Sequence, residues 1–214
     1  MDLISELDEA LKARINELAE QISGTGNPEA KTPPMPALLK AALKNEWETT
    51  LLTSEWVVDE TDADLRVDLA RLAGDEAKHY QWIRERLAAL GHEPPLDELD
   101  VRTPLYNFLK DQKTTFDRVV TGPYAREALA VARNQVFLTH CREQGDSETI
   151  AIYEKIQADE EHHHRLGRRH LEQLLRTRED LDAAVEKTRA VLQVVEDIQE
   201  MIVMQKGLCA IPGC

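Results

Sequence analysis

Glycine and proline are scarce in this chain, nine of each in 214 residues. So few breakers, set among Ala-, Leu-, Glu- and Arg-rich stretches with no run alternating at period two, exclude a β-sandwich and predict an all-α fold. Cysteine is scarcer. Cys141, Cys209 and Cys214 make neither a disulfide framework nor a zinc site of usual spacing. No apolar run is long enough to span a bilayer, and the N-terminus does not read as a signal peptide, so a cytoplasmic protein without a membrane partner is expected. Basic charge is in deficit: a formal net charge of −14 argues against a nucleic-acid partner, because binding phosphates calls for a basic surface. The hydrophobic fraction of 42% still suits one domain with a sizeable core.

What the chain has is helical periodicity. Over residues 2–22, Ile4, Leu7, Leu11, Ile15, Leu18 and Ile22 recur at spacings of three and four, a heptad pattern. That helix either docks on its own bundle or makes a dimer contact, and a homodimer is expected. With the Pro/Gly-rich linker that follows, it accounts for residues 1–35. Four helices are predicted at 36–59, 62–90, 123–143 and 147–176, so that residues 36–176 form a four-helix bundle. The second stops at Gly91, before Pro94-Pro95. The connection 91–123 is long enough to cross the length of a bundle, and Leu105, Phe108, Leu109, Phe116 and Val119 place a short helix in it. A fifth long helix fills 177–206 and packs across the bundle or onto a second subunit. Residues 207–214 are a loose tail. Its Cys209 and Cys214 are either incidental or a thiol pair able to carry electrons by dithiol–disulfide exchange.

Two short stretches repeat each other within this frame. Asp75-Glu76-Ala77-Lys78-His79 and Asp159-Glu160-Glu161-His162-His163 both contain Glu-x-x-His. A spacing of three puts carboxylate and imidazole on one helix face. Both motifs lie mid-stripe, Glu76 and His79 between Leu72 and Ile83, Glu160 and His163 after Ile156. An unpaired carboxylate there costs several kcal/mol or titrates to its neutral form, and a shared cation removes the objection. Each motif also has an upstream glutamate on an apolar face, Glu46 and Glu127. Antiparallel helices bring together residues equally far from their turn. Glu46 and Glu76 are centred on Thr61, and Glu127 and Glu160 between Glu143 and Gln144, both at turn-like sequences. Glu161 and His164 form a rival pair about a hundred degrees round the helix, but the stripe favours Glu160 and His163.

One Glu from each of two helices and Glu-x-x-His from each of two others resemble the ferritin-like superfamily of di-iron carboxylate proteins. The double motif is of the bacterioferritin and rubrerythrin type, and the wording around Glu76 is particularly similar to bacterioferritin. The resemblance covers roughly residues 36–175. It implies two iron ions, with Mn/Fe or Mn/Mn as alternatives, held by Glu46, Glu76, His79, Glu127, Glu160 and His163. Glu76 and Glu160 would bridge, with Glu46 and Glu127 as terminal ligands.

Asp75 and Asp159 are candidates to orient the imidazoles, and Tyr153, Asn134 and His170 are candidates for the surroundings of the metals. Ala130 or Val131 stands where peroxidase-type rubrerythrins carry a further glutamate, and no rubredoxin-like Cys-x-x-Cys pairs are present. The added helices do not suit a storage shell. The expected activity is therefore an oxidase or oxygenase acting with O2 or peroxide on a small-molecule substrate, with electrons from an external donor. Ferroxidase or iron storage, a rubrerythrin-like peroxidase, and a non-catalytic iron-binding interaction protein are the alternatives.

Overall fold

The computed structural model describes residues 2–24, 33–94 and 96–206, and these are helical throughout apart from short connections. Helix α1 is Leu3–Gly24, α2 Met35–Asp59 and α3 Ala63–Ala89. Short helices α4 (Leu96–Leu99) and α5 (Pro104–Lys110) lie in the crossover. They are followed by α6 (Thr115–Val119), a π-helical segment Val120–Arg126, α7 (Glu127–Gln144), α8 (Ser147–Leu174) and α9 (Arg178–Lys206). The fold is an all-α bundle. No described helix is long and apolar enough to cross a membrane. The expected tail, with Cys209 and Cys214, and most of the linker after α1 lie outside the described residues.

The turns form where side chains satisfy the free backbone groups at helix ends. Asp62 accepts the Leu65 amide at 2.8 Å and starts α3. Gly145 takes the left-handed conformation at φ 70° that closes α7, and Asp146 then accepts the Thr149 amide at 3.0 Å to open α8. The two hairpins, α2 with α3 and α7 with α8, meet along a ladder of polar pairs between α3 and α8. Asp68 meets His170, Asp75 meets His163, His79 meets Asp159, and Arg86 meets Thr149. Rising numbers on one helix pair with falling numbers on the other, so α3 and α8 are antiparallel and α3 and α7 parallel, as a long crossover requires.

Two apolar cores lie along the bundle. Leu38, Leu39, Leu43, Ile83, Leu87, Phe137 and Ile156 build one. Leu52, Trp56, Leu65, Leu69, Val120, Tyr124 and Leu171 belong to the other, which continues into α1, α5 and α9. Along α2, α3 and α8 the chain passes from one core to the other through Glu46, through Glu76 and His79, and through Glu160 and His163. A buried polar layer therefore divides the interior.

Two expectations change. The third bundle helix does not begin at Pro123: it runs from Thr115, and Pro123 sits inside the π-helical segment. A proline in a regular α-helix loses its hydrogen bond and clashes with the carbonyl four residues back; the wider turn takes up the ring and continues. Phe116 and Val119 accordingly belong to this helix, and only Leu105, Phe108 and Leu109 to the short crossover helix α5. Helix α1 buries Ile4, Leu7, Leu11 and Leu18 in its own chain's core. Tyr124 donates to Asp8 at 2.9 Å, Arg168 donates to the same carboxylate at 2.9 Å, and Arg14 pairs with Glu196 of α9. Helix α9 packs on α1, α5 and the π-helical segment.

Gly167 marks the closest approach of α8 to that segment. A Cβ there would lie 2.5 Å from the Pro123 carbonyl carbon and 2.6 Å from the Tyr124 amide nitrogen. Backbone cannot step aside, so Gly167→Ala is expected to destabilise the fold by about 3 kcal/mol, the upper end of overpacking costs. Gly74, on the exposed side of α3, has nothing within 4 Å of its would-be Cβ. Gly74→Ala is expected to stabilise by about 0.5–1 kcal/mol. Urea unfolding of the two variants checks the opposite signs; a tolerated Gly167→Ala would mean the two elements are not pressed together.

Candidate metal centre

All six residues singled out by the paired motifs converge in the polar layer. Glu46, Glu76, His79 and Glu160 form one set, and Glu76, Glu127, Glu160 and His163 form a second. Within each set the donor atoms lie within 4.8 Å of one another, and every member is buried. Glu76 and Glu160 belong to both sets. This sharing follows from their place in the middle of α3 and α8, with Glu46 of α2 on one side and Glu127 of α7 on the other.

The histidines are held from behind, crosswise. His79 Nε2 lies 3.1 Å from Asp159, the residue preceding the other motif's glutamate, and His163 Nε2 lies 3.5 Å from Asp75. Each Nδ1 thereby faces the carboxylates: that of His79 is 3.4 Å from Glu46, 3.7 Å from Glu76 and 3.6 Å from Glu160. That of His163 is 3.3 Å from Glu160 and 3.4 Å from Glu76. A carboxylate on the far nitrogen fixes the tautomer and raises the basicity of the near one, as a metal-binding imidazole needs. Asp159→Asn is expected to weaken metal binding roughly 10–100-fold while leaving the helices intact. A competitive chelator titration beside a circular dichroism spectrum checks it; unchanged affinity would leave Asp159 a surface residue.

The charges are unbalanced without a cation. Burial and the neighbouring charge of Glu76 push Glu46 up to about 8. Burial, with the charges of Glu76 and Glu127, also raises Glu160 well above the carboxylate range. Burial works against charge on Glu76 too, but the imidazoles of His163 and His79 and the carboxyl of Glu46, all facing it, take it well below the ordinary value. Glu46 Oε2, both oxygens of Glu76, Glu127 Oε2 and His79 Nδ1 are buried with no hydrogen-bond partner. Orphaned buried acceptors on this scale cost several kcal/mol. A cation offers all of them one partner, so the oxygen-rich, imidazole-containing set fits metal ions.

The remaining candidates have other neighbours. His164 places Nδ1 2.8 Å from the Tyr124 carbonyl, while its would-be partner Glu161 is exposed and lies near Arg165. His170 is buried against Asp68 at 2.9 Å, with Arg169 on the same carboxylate. Tyr153 packs edge-on against Phe137 at 4.4 Å, and Asn134 is buried on α7. Trp82 lies over His79, ring centroids 5.7 Å apart.

Arg126 escaped the sequence reading. Its Nη1 donates to Glu127 Oε1 at 2.6 Å, and its side chain is 16% exposed. Neighbouring residues of a regular helix point about a hundred degrees apart, so nothing in the spacing brings Arg126 inward. Its position at the end of the π-helical segment does, and the helix breakers Gly122-Pro123 were the available signal.

The model of a family described as "Protein of unknown function (DUF455)" matches residues 39–200. The chain belongs to this family. The DUF455 match spans all six residues of the cluster, both aspartates and Arg126. No curated protein and no solved structure matches the chain.

Proposed function

We propose that this DUF455 protein is a di-iron carboxylate oxidoreductase of the oxidase or oxygenase type. The observation that carries the reading is the pair of overlapping donor sets sharing Glu76 and Glu160. Six protein donors with two shared carboxylates suit two closely spaced ions, and carboxylate with imidazole suits iron in both its common oxidation states. Iron bound there supplies the redox chemistry toward O2 that the side chains themselves lack.

The chain's own residues prepare the place. Asp75 and Asp159 keep the Nδ1 atoms of His163 and His79 turned inward. Glu46 and Glu127, one from each remaining helix, complete the two sets from opposite sides. The flanking apolar cores exclude bulk water and so strengthen each charge interaction inside the layer. Arg126 holds Glu127 at the edge of the cluster. Electrons come from a separate donor.

Multiple-turnover oxygen consumption tests the reading. Iron-loaded protein supplied with a chemical or flavoprotein reductant is expected to consume O2 continuously beyond its iron content. Consumption that stops once the added ferrous iron is oxidised would favour a ferroxidase. No consumption with iron bound would favour a non-catalytic iron-binding protein.

A further inference from the structure

Two small cavities lie between α2, α5 and the π-helical segment, each of about 10 Å³, room for about one water molecule. The outer one reaches the partly buried Asn45 and Leu105; the inner one reaches Trp56 and Glu127. They share a wall made of Thr49, Leu52, Leu109 and Arg126. Thr49, Leu52 and Leu109 are short side chains fixed by helix packing. Arg126 is the longest side chain of that wall, held by its contact with Glu127, and it is the basic residue on both cavities.

We propose that Arg126 is the door of an entry path to the carboxylate cluster, running between α2 and α5, and that Glu127 is its latch. Closed, the guanidinium is held on Glu127 at 2.6 Å and separates the cavities. Rotated outward, it joins them into a passage for small neutral molecules of the size of O2, peroxide or water. Arg126 occupies Oε1 of Glu127 and leaves Oε2, which is buried without a partner, to the second donor set, so a cation on Oε2 weakens the hold on Arg126 by neutralising the carboxylate and repelling the guanidinium. An occupied centre would thus loosen its own door. The latch rests on the metal-centre reading; the door does not.

Trp56 lines the inner cavity and is 4% exposed, which makes it a reporter of entry. In protein carrying Trp47→Phe and Trp82→Phe, its fluorescence is measured against acrylamide, a small neutral quencher. Arg126→Ala removes side-chain volume comparable to an acrylamide molecule and is expected to raise the quenching constant severalfold without metal. Leu105→Phe fills the outer cavity and is expected to lower it, a change that a merely loosened fold cannot produce. Zinc, which is redox-silent, is expected to raise quenching in the parent protein, with bound zinc measured on the same sample. Equal quenching in the parent and Arg126→Ala proteins, or in the parent and Leu105→Phe proteins, overturns the door. Bound zinc with unchanged quenching overturns the latch. No bound zinc counts against the metal centre itself, while the two variants still decide the door.

Discussion

Metal added to the metal-free protein is expected to raise its melting temperature by roughly 10–20 °C, and by more at pH 8 than at pH 6. An ion held at a hundred times its dissociation constant contributes about 2.7 kcal/mol. Two such ions act on a chain for which one kcal/mol shifts the midpoint by about 2–4 °C. The pH dependence follows from the protons the metal displaces. Burial opposes charge on His79 and His163, yet the carboxylates that face each ring favour its protonated form: Glu46 and Glu76 lift His79 to about 12, and Glu160 and Glu76 lift His163 to about 11.

Glu46, at about 8, likewise keeps a proton that the unfolded chain gives up near 4.5. All three are raised above their unfolded values, so their contribution is complete below those values and is lost as pH rises. Glu46 loses its share between 4.5 and about 8, and the histidines lose theirs from 6.5 upward. Glu76 has the opposite sign, but its stabilisation is fully present above 4.5 and does not vary in this window. The metal-free fold should therefore weaken from pH 6 to pH 8, whereas the metal, competing with fewer protons, binds more tightly. Calorimetry with chelator and with manganous or ferrous ion, at both pH values, measures the two trends. A midpoint indifferent to metal would mean the glutamates do not meet a cation; a metal effect that shrinks with pH would mean protons are not its competitor.

What could be read from the sequence was what depends on spacing within one helix or on distance from a turn. Glu76 and His79, or Glu160 and His163, share a face because three residues make nearly one turn. Glu46 and Glu127 oppose them because each hairpin folds about its turn. Such rules say nothing of the register between α3 and α8, which are not consecutive. The sequence marked Asp75 and Asp159 as candidates to hold an imidazole; that each holds the other motif's histidine needed the ladder from Asp68 to Arg86. Arg126 was illegible for a further reason. Helical periodicity assumes one turn size, and the π-helical segment around Gly122-Pro123 changes the phase just before Glu127. The same assumption moved the start of the third helix to Pro123, since proline favours a first turn. Helix α1 carried a heptad pattern that fits a partner chain or its own bundle equally well. Asp8, shared by Tyr124 and Arg168, decides for the bundle, and a lone exposed-looking aspartate gives no sign of that role.

His163→Ala is expected to cost one of two bound metals, while His164→Ala keeps both. The two residues are neighbours in a run of three histidines, so only geometry separates them. His163 is 1% exposed, with Nδ1 at 3.3 Å from Glu160 and its far nitrogen toward Asp75. Removing it deletes a donor from the set it shares with Glu76, Glu127 and Glu160, and leaves those carboxylates to repel one another. Loss of a group that merely orients a ligand weakens binding about 10–100-fold; loss of the ligand should exceed that and empty the set at micromolar metal. The other set, built on His79, contains no atom of His163 and should still fill. His164 instead engages the Tyr124 carbonyl, a backbone oxygen in the π-helical segment. Its replacement forfeits one hydrogen bond, about 0.5–1.5 kcal/mol, and should lower the melting temperature by a few degrees. Metal content after gel filtration, measured beside the thermal midpoint, distinguishes the two. If His164→Ala loses the metal and His163→Ala keeps it, α8 is rotated by one residue from the arrangement described, and Glu161 replaces Glu160 in the centre.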